Sequence, residues 1–141
     1  MTTQQIVLVQ TSWLKVKPAM QEAGELFYHK LFTRAPFIRH LFKGDIKQQA
    51  GKLGSTLTYV VTRLDKLDTI LEDVRKLAVN HNKYGAEPEH YAVVGECLLA
   101  TLEAGLGNDW NDELREAWSA AYSILADTMI QAQQEALEQR A

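Results

Sequence analysis

Four histidines, five tyrosines and one cysteine are the side chains here best suited to chemistry, and spacing sets His81 apart from the rest. It closes a stripe of Ile70, Val74, Leu77 and His81 that follows the helical period. An imidazole on an apolar face is either a core side chain bonded to a backbone carbonyl or a ligand for something in the middle of the fold. Gln49 breaks a pattern in the same way, because it leads the stripe Leu53, Leu57, Val60 and Leu64, with Lys52 and Thr56 beside it. A polar residue at the head of an apolar stripe is a place where function is expected. Tyr28 and Phe32, four apart, share one face of another helix, where Tyr28 reads as an interfacial aromatic. His29, His40 and His90 read as surface or turn residues. The lone Cys97 excludes an internal disulfide and a multi-cysteine metal site, and reads as a small buried apolar group. The segment Gly51 to Ser55, GKLGS, lacks the spacing of a phosphate-binding loop.

These residues need helices to hold them. The first helix spans Thr2 to about Lys17, opened by a capping-box pattern of Thr2 and Gln5, with Ile6, Val9, Trp13 and Val16 on one stripe. Pro18 has no N–H to continue the ladder and ends or bends it. The second helix, about Ala19 to Thr33, carries Met20, Ala23, Phe27 and Leu31 in period, and Ala35-Pro36 breaks it before a short turn to Phe42. Asp45 with Gln48 caps a helix to about Leu64, and Thr69 with Glu72 caps another to about Tyr84. Gly85 is a fitting stop, and Pro88 starts the next helix, which runs through Tyr91, Val94, Leu98 and Leu102 to Leu106. Gly105 and Gly107 close it. A last helix from about Asn111 towards Glu138 has the seam Leu114, Trp118, Tyr122, Leu125 and Met129, and its polar tail is expected to fray.

No stretch alternates with period two, so the class is all-α. Six or seven helices of unequal length do not suit a plain four-helix bundle; they suit helices crossing at large angles around a central object. A length of 141 residues fits a single domain, 1–141, with one core. The net charge is −3 and the basic residues are scattered, which argues against nucleic acid as a partner. No apolar run approaches the roughly 20 residues that span a bilayer, and the N-terminus has no signal-peptide pattern. No membrane association and a cytoplasmic location are therefore expected.

Trp13 in the first helix, Pro36 followed six residues later by Phe42, His81 four after Leu77, and Tyr91 ten after His81 stand in order along the chain. This set resembles the globins, in particular the single-domain bacterial globins related to the haem domain of flavohaemoglobins, over nearly the whole length. The resemblance implies a globin fold of six to eight helices around a haem pocket. It implies haem b, iron protoporphyrin IX, as cofactor, with His81 as the proximal iron ligand and a carbonyl near Leu77 holding its other ring nitrogen. Phe42 would stack on the porphyrin, Val94 would line it and Lys52 would meet a propionate. On the opposite side Gln49 and Tyr28 would donate hydrogen bonds to the ligand, with Leu53 above it. Tyr91 would back the proximal histidine. Where flavohaemoglobins pair that tyrosine with a carboxylate, this chain aligns Gln133, so the electron push to iron should be weaker.

Three functions remain open on that basis. The first is reversible binding of oxygen, and of NO or CO, at a five-coordinate ferrous iron, as in oxygen transport. The second is nitric oxide detoxification by a dioxygenase. No reductase or transducer domain is expected in this chain, so that enzyme would depend on a separate reductase. The third is a haem-free globin-like interaction module, although His81 and Phe42 are both kept. A monomer or weak dimer is expected.

Overall fold

The computed structural model describes residues 1–42, 44–83 and 87–140, with side chains described up to 79 in the second stretch and up to 138 in the third. Six α-helices follow one another: α1 (Thr3–Val16), α2 (Met20–Arg34), α3 (Ile46–Val61), α4 (Leu71–Lys83), α5 (Pro88–Leu106) and α6 (Asp112–Arg140). Short 3₁₀ segments at Lys17–Ala19, Pro36–Leu41, Leu64–Thr69 and Gly107–Asp109 join several of them. There is no strand among the described residues. Nor is any helix there long and apolar enough to cross a membrane.

The starts and stops have local causes. Thr2 and Gln5 exchange both hydrogen bonds of the capping box at the start of α1. Asp45 accepts from the Gln48 N–H at 2.7 Å, and Asn111 does the same for Leu114 at 2.8 Å. Pro88 opens α5, where its missing N–H costs nothing. Gly107 ends α5 with φ at +54°, while Gly105 lies inside the helix. Gly85, the expected stop of α4, lies outside the described residues.

Three expectations are corrected. The third helix ends at Val61, and Leu64 falls in the tighter 3₁₀ segment, where it is still buried. Thr69 belongs to the end of that segment and its hydroxyl donates to the Lys66 carbonyl, so α4 begins later than a Thr69 cap implies. The polar tail continues as helix through Arg140 instead of fraying. Packing of α4 along α6 explains this, since one side of the tail is covered and Ala132 and Gln133 are buried.

The core is held by α1 reaching both α3 and α6. Trp13 and Trp118 meet edge to face at 6.2 Å. Their indole N–H groups need acceptors inside the protein, and they donate to Thr58 Oγ1 at 3.0 Å and to Ser12 Oγ at 2.9 Å. The α2/α3 crossing is the closest in reach of the functional residues. A Cβ added at Gly24 would lie 2.8 Å from the Cβ of Ala50.

Candidate functional site

Helix α2 presents Tyr28 among aromatics. Its ring lies 4.9 Å from Phe27, 5.7 Å from Phe32 one turn on, and 5.4 Å from Phe42. Phe42 comes from the far end of the 3₁₀ segment and also meets Phe32 edge to face at 5.4 Å. Arg39 fixes this arrangement, because its guanidinium lies 5.0 Å over the Phe32 ring and donates to the Phe42 carbonyl at 3.1 Å. Phe32 and Arg39 were not among the expected site residues. The four-residue spacing of Tyr28 and Phe32 was visible in the sequence, whereas nothing local ties Arg39 to a ring seven residues earlier.

Tyr28 is 6% exposed, and its hydroxyl has no hydrogen-bond partner among the described residues. Burial pushes its pKa up to about 12, so it stays a protonated donor across the physiological range. Across the α2/α3 crossing, Gln49 and Leu53 are half-buried on α3, one turn apart. Leu53 shares the lining of an internal apolar cavity with Phe27. Lys52 is solvent-exposed and stands apart from this cluster.

The other half of the site is built from α4, α5 and α6. Leu77 on α4 and Val94 on α5 are half-buried against the core. His81 lies on α4 by its backbone, and its side chain is outside the described residues. Tyr91 is buried and fastened twice to α6. Its hydroxyl donates to Gln133 Oε1 at 2.8 Å, and its carbonyl accepts from the Tyr122 hydroxyl at 2.6 Å. Burial raises Tyr91 to about 12, so the Tyr91–Gln133 pair is neutral. The structure thus joins Tyr28 to Phe42 and Tyr91 to Gln133, two pairs that no local pattern connects.

The sequence profile of the globin family matches residues 25–129. A flavohemoprotein of Halalkalibacterium halodurans is 31% identical over 129 residues, which cover 86% of this chain and 31% of that protein. The chain therefore spans about a third of the length of the flavohemoproteins it matches. An uncharacterized globin-like protein of Aquifex aeolicus is 32% identical over 117 residues, covering 80% of this chain and 83% of its own. Among solved structures, an engineered carbene transferase, a proposed nitric oxide dioxygenase from Rhodothermus marinus, superposes with a TM-score of 0.89 at 26% identity, covering 98% of this chain and 96% of that one.

Proposed function

The chain belongs to the globin family, and from that premise we propose that it is a haem protein that binds oxygen reversibly, together with NO and CO. The observation that carries this reading is the buried Tyr28 hydroxyl without a protein acceptor. Leaving such a group unpaired costs about 1–3 kcal/mol, a cost that a polar ligand in the pocket removes. The surroundings fit a flat apolar macrocycle, since Phe32, Phe42, Leu53, Leu77 and Val94 are all only partly covered by the core.

When bound, haem b supplies an iron with an open coordination position for a diatomic gas. In this reading His81 is the protein's ligand to that iron, and the Leu77 carbonyl one turn earlier orients its second ring nitrogen. Phe42 packs on the ring, Val94 lines it and Lys52 pairs with a propionate at the exposed edge. Tyr28 and Gln49 donate hydrogen bonds to the diatomic ligand, and Leu53 shields it. A donor pair favours oxygen over the less polar carbon monoxide. Tyr91 supports the His81 side, and its neutral partner Gln133 adds no negative charge there. That favours reversible binding over peroxide chemistry.

A second reading is supported by the Rhodothermus marinus neighbour, a proposed nitric oxide dioxygenase. Nitric oxide, oxygen and one electron would give nitrate, with the electron drawn from a separate reductase. The same pocket serves both readings.

An absorption spectrum of the haem-reconstituted protein is the test. We expect a Soret band, a five-coordinate ferrous form and a stable oxygenated form. A protein that takes up no haem would instead be an interaction module. Repeated consumption of nitric oxide in the presence of a cellular reductase would favour the dioxygenase, and a failure to return to the ferrous state would remove it.

A further inference from the structure

We propose that the apolar cavity enclosed by α1, α2, α3 and α5 is a holding site for a second molecule of apolar diatomic gas, walled from the ligand pocket by Leu53 and closed by Met20. The proposal rests on the haem reading, because Leu53 must face the ligand pocket for the cavity to serve it. The cavity has a volume of about 20 Å³ and is lined by residues including Phe27, Leu53, Leu57, Met20, Ala23 and Gly54. Roughly 10–15 Å³ on this measure accommodates one water-sized molecule.

Water is a poor occupant, because it needs two to four polar partners. The polar groups in this lining are already used. The Thr101 hydroxyl donates to the Cys97 carbonyl at 2.8 Å, and the Trp13 indole donates to Thr58. Apolar cavities of this kind stay dry and accept apolar guests such as xenon. Oxygen and nitric oxide belong to the same class of guest.

The space depends on small residues. A Cβ at Gly54 would come within 3.1 Å of Met20 Sδ, so the thioether lies directly against the glycine. Thr58 Oγ1 approaches the same sulfur at 3.9 Å. Met20 is half-buried and unbranched, which makes it the wall best able to swing aside. A chemistry that consumes two gas molecules needs the second nearby while the first occupies the pocket. A reversible binder uses the same space to retain a ligand that has just dissociated.

The test uses xenon on the carbon monoxide complex of the haem-loaded protein. Xenon should give saturable shifts of the Ala23 and Leu57 methyl resonances. It should also lower, by twofold or more, the fraction of carbon monoxide that rebinds from within the protein after a laser flash. Ala23→Leu, which fills the space, should abolish the shifts and lower that fraction without xenon. Should this variant fail to fold, Met20→Ala enlarges the cavity and should bind xenon more tightly than the parent. Absence of saturable shifts, or rebinding traces that neither xenon nor either variant alters, would overturn the proposal. A protein with a Soret band and no xenon shift loses the cavity alone, whereas one with no Soret band loses the haem reading on which the cavity depends.

Discussion

Replacing Tyr28 by phenylalanine is expected to speed oxygen dissociation by about one to two decades while leaving the fold intact. The hydroxyl makes no hydrogen bond to a described protein group, and the ring contacts to Phe27, Phe32 and Phe42 survive the change. Stability should therefore hold or rise slightly, since a buried polar atom is removed. The bond lost is the one to the ligand. Hydrogen bonds to groups carrying charge are worth roughly 1.5–3 kcal/mol, and about 1.4 kcal/mol is a decade in the equilibrium constant. Carbon monoxide, less polar when bound, should leave at a rate that changes far less. Stopped-flow displacement of oxygen measures both rates, and an unchanged oxygen rate removes Tyr28 from the site.

Gly24→Val should have the largest effect on stability. Its first new carbon would sit 2.8 Å from Ala50 Cβ and 3.0 Å from the Ala50 backbone, which cannot move independently of α3. The helices must separate, and overpacking of this kind costs about 1–3 kcal/mol. For a domain of this size that lowers Tm by very roughly 4 °C per kcal/mol. Tyr28 lies one turn beyond Gly24 and Gln49 is next to Ala50, so opening the crossing displaces both and should also speed oxygen loss. Gly51→Ala is the control. Its nearest neighbour would be Gln21 Oε1 at an ordinary 3.5 Å, and the change should stabilise the helix by about 0.4–1 kcal/mol. Thermal unfolding of the two variants in opposite directions is the expected result. Equal melting temperatures would mean that the crossing is not close.

How much of this was legible in the sequence follows from the range of each interaction. Thr2 with Gln5, Asp45 with Gln48 and Pro88 act within one turn, and the helices they begin stand where spacing puts them. The facing of Tyr28 and Phe32 is equally local. The 3₁₀ run Leu64–Thr69 was not legible, because Leu64 stays buried whether the backbone keeps the wider helix or tightens. Burial of Gln133 in a tail that reads as solvent-facing depends on α4 and on a tyrosine 42 residues earlier. The contact of Gly24 with Ala50 and the hold of Arg39 on Phe42 are likewise facts of tertiary packing. The sequence alone nominated Gln49, Leu53 and Tyr28 for one side of the site. Resemblance added Phe42, and the structure supplies the contact between Tyr28 and Phe42.

The most direct measurement is the absorption spectrum of His81→Ala after haem reconstitution, recorded in the ferrous state with and without added imidazole. The protein should lose the five-coordinate spectrum of the parent and regain it when imidazole fills the vacated position. Haem uptake and a ferrous spectrum identical to the parent's, with no response to imidazole, would contradict His81 as the iron's ligand.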